Sequence, residues 1–141
     1  MNRTQQLEDW YRRVYLQGEL DAVETLFTDS TRAQGLMADA QVGPKDIRVF
    51  VMALMHLVAA PHFRIVKTVE AGDWLAALIE TEAIRADTGQ PIRVTGQLMA
   101  RFQDGRIAEA YNNFDFLTFF EQMGLLPEQS LALGMTGQKI A

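Results

Sequence analysis

The side chain best placed to do chemistry is Asp115, a lone carboxylate with Phe114 before it and Phe116 after it. An acid between two aromatics at the end of a strand has two uses. It can cap the following helix by accepting from its first backbone amides, or it can face an apolar pocket. In a pocket, loss of water raises a carboxyl pKa toward the range where the group both donates and accepts a proton. The chain has two histidines, His56 and His62. His62 follows Pro61 at a strand start and is the candidate partner of Asp115, whereas His56 reads as a hydrogen-bonded boundary residue on a helix. No HxH, HxxxH or HExxH spacing occurs and there is no cysteine, so no metal site, thiolate nucleophile or disulfide is expected. A glycine-rich phosphate loop and a nucleophile elbow are also missing from the sequence, and no cofactor is expected.

These groups must be positioned by the elements around them. Leu7, Trp10, Tyr11 and Val14 share the 3/4 spacing of one helix face, with Thr4 able to cap it. Gly18 breaks this helix, and GELDAVETLF begins a second, short one. A weak strand follows over about Thr31–Met37. Pro44 then opens a third helix with Ile47, Phe50, Val51, Leu54, Met55 and Val58 on its apolar side, and Pro61 stops it. From His62 the period changes to two. Four strands are expected, His62–Val69, Trp74–Ala86, Ile92–Gln103 and Arg106–Phe114, turning at Ala71-Gly72, Thr88-Gly89 and Asp104-Gly105.

If every turn has a two-residue loop, the register follows by counting. Ala77, Ile79, Thr81 and Ala83 then share one face with Val94, Gly96, Leu98 and Ala100, and with His62, Arg64, Glu109, Tyr111, Asn113 and Asp115. This face is mostly small and aliphatic, with its polar members gathered at one end, as a small-molecule pocket requires. Asn113, Tyr111, Thr81 and Arg64 are the candidate ligand contacts from the sheet; Trp10 and Tyr15 are those from the first helix. Phe63, Ile65, Trp74, Leu78, Met99, Ala110 and Phe114 fall on the opposite face, where Arg93 and Arg101 alternate near Glu80 and Glu82. Three helices cover only one side of a sheet, so this second apolar face predicts an isologous homodimer, sheet against sheet.

The chain has 141 residues and a net charge of −5, enough length for one domain with a core of its own. An acidic chain lacks the basic stripe of a nucleic-acid binder. No run reaches membrane-spanning length, and MNRTQQLEDW carries no apolar leader core, so a cytoplasmic protein is expected. The domain is expected over residues 1–127, with a tail over 128–141 that has no clear period.

The order helix, helix, strand, helix, long meander, helix resembles the nuclear transport factor 2-like cone fold. This is an α+β architecture in which a curved, mixed or antiparallel sheet wraps three N-terminal helices and a short C-terminal one. The segments GELDAVETLF, EAGDW, TGQPIRV, RFQDGRIAEAYNNFD and EQMGLL, with the Pro61 join, are similar to the SnoaL-like polyketide cyclases of that superfamily. The resemblance implies a deep pocket and dimerisation through the outer sheet face. It also implies a general acid/base aspartate near the end of the last strand, the place of Asp115. The expected function is cofactor-free proton transfer on a small hydrophobic carbonyl compound, of cyclase or isomerase type; the alternative is a non-catalytic ligand-binding module. Limonene epoxide hydrolases, which are related, use an arginine and an aspartate two apart on the strand before the TG turn. Ile79 and Thr81 stand there, and Arg85 and Asp87 have that spacing but lie too near the turn. In ketosteroid isomerases a tyrosine assists the base; Tyr11 or Tyr15 can stand in its place.

Overall fold

Asn2, and not Thr4, starts the first helix of the computed structural model, which describes residues 1–36 and 41–140. Asn2 Oδ1 accepts from the Gln5 backbone amide at 2.8 Å, and Gln5 Oε1 accepts from the Asn2 amide at 3.0 Å. This reciprocal pair fixes helix α1, Arg3–Tyr11, which runs on as a π turn over Arg12–Leu16. A 3₁₀ helix over Leu20–Leu26 takes the place of the second helix. Helix α2 spans Pro44–Leu57, with proline at its first turn and Ile47, Val51 and Leu54 buried. It ends well before Pro61, because the chain is already extended at Val58.

Among the described residues five strands form one mixed sheet in the order β1-β5-β4-β3-β2. They are β1 (Phe27–Gln34), β2 (Val58–Ala71), β3 (Trp74–Arg85), β4 (Pro91–Gln103) and β5 (Arg106–Phe114). Strand β1 lies parallel to β5, and every other pairing is antiparallel. The expected strand over Thr31–Met37 is therefore placed earlier in the chain, and Met37 lies outside the described residues. Helix α3 (Phe116–Gln122) follows β5, and the patternless tail carries a short helix α4, Ser130–Met135, against α3. With helices packed on one side of a curved sheet, the architecture is the α+β cone expected.

Of the three turns, Asp104-Gly105 forms as counted. Both residues have positive φ, 52° and 79°, and Phe102 pairs with Ile107. The β2–β3 turn instead occupies Gly72 and Asp73, with Ala71 opposite Trp74. The β3–β4 loop is longer than two residues, so Ile84 lies opposite Pro91 and the pairing slides by two. A slide of two keeps every side chain on its face.

Three bulges do not. In β5 the pairing steps from Phe102–Ile107 to Arg101–Glu109, which leaves Ala108 unpaired and inverts the rest of the strand. Ala110, Asn112 and Phe114 thus turn toward the helices, and Glu109, Tyr111 and Asn113 turn away. In β2 an extra residue at Val66 inverts the strand, so Phe63 and Ile65 turn inward while His62 and Arg64 turn outward. A second β2 bulge lies between Ala59 and His62, where Ala60 has φ 48°. Pro61 is tolerated there because a bulge on an edge strand needs no ladder donor.

The core fills the cone: Leu7, Val14, Val23, Val51, Leu75, Ala100 and Ile107 are each almost fully buried. Gly35 lets the end of β1 close onto β5. A Cβ there would lie 1.7 Å from the Asn112 carbonyl oxygen, and the residue has φ +85°.

Candidate functional site

Between α1, α2 and the concave sheet face lie two adjoining lobes of about 70 Å³ each. Tyr11, Tyr15, Leu36, Phe50, Leu98 and Asn112 line both. The first lobe adds Phe63, Ile79, Thr81, Gly96 and Phe114, and the second adds Trp10, Phe27, Ile47 and Ile107. Helix α1 and the π turn that continues it supply Tyr11 and Tyr15, which as positions four apart lie near one face. Gly96 holds the wall thin: a Cβ there would be 3.1 Å from the Asn113 carbonyl oxygen.

The polar atoms in this chamber are few. Trp10 is buried and its Nε1 donates to the Val23 carbonyl at 3.0 Å, so only its ring is presented. Asn112 Nδ2 donates to the Gln34 carbonyl at 3.0 Å, which ties the chamber to β1. Thr81 is buried on the inner face, as expected. The hydroxyls of Tyr11 and Tyr15 make no hydrogen bond among the described residues, although Tyr15 is only 5% exposed. Burial raises both phenol pKa values well above the usual tyrosine range, and Tyr11 adds to the shift at Tyr15. Both are therefore neutral hydrogen-bond donors throughout the physiological range. The rings form a packed group: Tyr11 stacks on Phe63 with centroids 4.5 Å apart at 9°, and Tyr15 meets Phe63 at 4.5 Å.

The other candidates lie elsewhere. Asp115 is the exposed N-cap of α3, with Oδ1 accepting from the Thr118 amide at 3.1 Å and Oδ2 from the Thr118 hydroxyl at 2.7 Å. Of its two uses, capping is the one adopted, and the carboxylate is not among the chamber's lining residues. His62 is exposed and stands opposite Glu82 on the outer side, because of the Val66 bulge. Arg64, inverted by the same bulge, donates to Glu80 Oε2 at 3.1 Å; Arg93 pairs with that oxygen at 2.9 Å. These arginines, that of Arg93 foremost, hold the Glu80 pKa below the usual glutamate range. Tyr111 lies outside, donating to Glu109 Oε2 at 2.9 Å and stacking near Trp74 at 6.3 Å. Glu109 in turn accepts from Arg101 at 2.7 Å. Asn113 is exposed and its neighbour Asn112 takes the inner position, although Asn113 still forms part of the first lobe's lining. Ala110 and Phe114 likewise leave the outer face, and Phe63 and Ile65 join the inner one. Arg85 and Asp87 bind each other in bidentate fashion at 3.0 and 2.8 Å across the loop.

Sequence reasoning thus missed Asn112, Phe63 and Phe114 as lining residues. The i, i+4 pair Tyr11/Tyr15 was a readable signal for the hydroxyl pair. No residue type announces the bulges at Ala108 and Val66 that place the other three. Among the described residues no cluster of three or more potential ligands can hold a metal ion, and no helix is long and apolar enough to cross a membrane.

The sequence model of the SnoaL-like domain matches residues 7–110. The chain belongs to the SnoaL-like domain family. Among solved structures, it is similar to AclR of Streptomyces galilaeus, provisionally described as a hydroxylase. That match has 15% identity and a TM-score of 0.76, and covers 96% of this chain and 88% of the other. IdmH of Streptomyces antibioticus, provisionally a polyketide cyclase, has 18% identity and a TM-score of 0.74, with 87% and 99% covered. A Catenulispora acidiphila protein of ketosteroid isomerase-like fold, solved with trimethylamine, has 16% identity and a TM-score of 0.70, with 82% and 90% covered. At these identities the likeness is one of fold. Among curated protein sequences none matches significantly.

Proposed function

We propose that this SnoaL-like protein binds a small, uncharged, mainly hydrophobic carbonyl compound in the chamber between α1, α2 and the sheet. The observation that carries this reading is the pair of Tyr11 and Tyr15 hydroxyls, which have no hydrogen-bond partner among the described residues, in a chamber of mainly apolar walls. Neither hydroxyl is fully sealed off, so a ligand carbonyl oxygen can reach it and accept its hydrogen bond in place of water. An ionised ligand fits poorly, since among the described residues no charged side chain lines either lobe to offset its desolvation. Binding of this kind suits the non-catalytic module and an isomerase or cyclase alike. Family membership supports proton transfer; the position of Asp115, engaged with Thr118, does not support that carboxylate as the base. Titrating uncharged ketones against the quenching of Trp10 fluorescence, in a Trp74→Phe background, tests the reading. Ketones should quench and Tyr15→Phe should weaken them. A panel in which none binds overturns it.

The reading extends to assembly. Val69, Ala76, Met99 and Tyr111 form one row across four strands of the outer face, with Val69 68% and Met99 47% exposed. Trp74 and Leu78 flank the row. An isologous homodimer through this face would bury it, with the ion pairs of Glu80 and Glu109 at its rim. A protein of this kind would work in the cytoplasm.

A further inference from the structure

Outside the chamber, between α1 and the start of β2, runs an open groove lined by Gln5, Glu8, Arg12, Leu16, Pro61 and His62. Tyr11 and Phe63 line both the groove and the chamber. The stacked pair is thus the partition between them. The two lobes, at about 70 Å³ each, together approach the size of an engineered apolar cavity of roughly 150 Å³ that holds a single benzene. A ligand of two or more fused rings exceeds that space, while the groove encloses about 510 Å³.

Resting on the ligand reading above, we propose that Phe63, held by its stack on Tyr11, sets the size limit of the chamber, and that the groove is the subsite that receives whatever part of a larger uncharged ligand the chamber cannot hold. Phe63 suits this role for a physical reason. It sits on the edge strand between two bulges, at Ala60 and Val66, where backbone pairing constrains it least. Its ring is half-buried, and its close aromatic partners are Tyr11 and Tyr15. Displacing it therefore disturbs the chamber wall and leaves the sheet core, centred on Leu75 and Ala100, untouched. The groove's apolar floor of Leu16 and Pro61 adjoins Glu8, Arg12 and His62, so it can solvate the polar end of a ligand whose rings lie inside.

The test compares two ketones, acetophenone with one ring and 9-fluorenone with three, by Trp10 quenching in the Trp74→Phe background. The original chain should bind acetophenone at least tenfold more tightly than fluorenone. Phe63→Ala should raise fluorenone affinity at least tenfold and lower the acetophenone-to-fluorenone affinity ratio at least tenfold. Phe63→Leu, which keeps most of the packing, serves if the alanine variant does not fold and should show a smaller gain in the same direction. Adding Leu16→Phe, a substitution at an exposed position that fills the groove without a second tryptophan, should cancel the fluorenone gain. If it does not, the larger ligand is held wholly inside and the groove is no subsite. Equal binding of both ketones by the original chain would overturn the size limit while leaving the chamber reading intact. Binding of neither ketone by any variant would instead remove the chamber reading on which the proposal rests.

Discussion

The two faces of the sheet treat polar groups in opposite ways. On the convex face five charged groups are paired within the chain: Glu80 takes Arg64 and Arg93, Arg101 takes Glu109, and Glu109 also takes Tyr111. Among the described residues no charged side chain lines the chamber on the concave face, and two tyrosine hydroxyls there have no partner. The open donors of the chamber are what the proposed ligand reading rests on. The contrast arises from alternation along the same strands, so neighbouring residues can test it.

Leu98 and Met99 are consecutive, one 6% and the other 47% exposed. Leu98→Ala should cost about 2–5 kcal/mol in urea unfolding, through lost contacts and the cavity left behind. Met99→Ala, measured on dilute monomer, should stay within about 0.5 kcal/mol. Similar costs at both sites would erase the distinction between the faces. Met99→Glu probes the convex face as an interface. If it pairs with a second copy, an unpartnered carboxylate should weaken association at least tenfold in sedimentation, about 1.4 kcal/mol. A sedimentation profile that is monomeric at micromolar concentration before substitution would leave that face to solvent.

A smaller effect separates Asp115 the cap from Asp115 the acid. Asp115→Ala should cost about 1 kcal/mol, the usual loss for a helix N-cap, and leave ketone affinity unchanged. A ketone affinity that collapses without loss of stability would place the carboxylate in the site after all. The smallest effect is electrostatic. Glu80 has a folded-state pKa lowered from 4.5, chiefly by Arg93, so its contribution to stability is complete above that value. It is lost as pH falls through the lower folded pKa. Glu80→Gln should therefore flatten the acid limb of urea midpoints below about pH 4.5, and added salt should shrink the difference. Identical acid limbs in the two proteins would show the convex pairs to be energetically idle.

How far these residues could be found without coordinates follows from the same alternation. Helix α2, the last four strands and the Asp104-Gly105 turn were legible, because Pro44, the change of period after Pro61 and the glycines are local signals. Family membership was legible as well, in the ordered segments from GELDAVETLF to EQMGLL. The side-chain faces of β3 and β4 survived a two-residue slip because two is the period of a strand. Those of β2 and β5 did not survive single-residue bulges at Val66 and Ala108, which exchange His62 and Arg64 for Phe63 and Ile65, and Asn113 for Asn112. A bulge is set by how strands wrap the helices, a property of the closed cone that no single stretch encodes. Asp115 failed as a pocket residue for another reason. Thr118, three positions on, offers it both an amide and a hydroxyl, and this local competition for the carboxylate prevails.

In the proposed reading the chamber recognises an acceptor through its open tyrosine hydroxyls. The most direct measurement is calorimetric titration of acetophenone and of α-methylstyrene, which replaces the carbonyl with an isosteric vinylidene group, into the original chain and into Tyr15→Phe. Removing one net hydrogen bond of about 0.5–1.5 kcal/mol should lower the acetophenone-to-styrene affinity ratio roughly 2- to 12-fold. Styrene binding itself should hardly change. An affinity ratio that is the same in both proteins would contradict the claim, and the hydroxyls would then be bystanders to a purely apolar cavity.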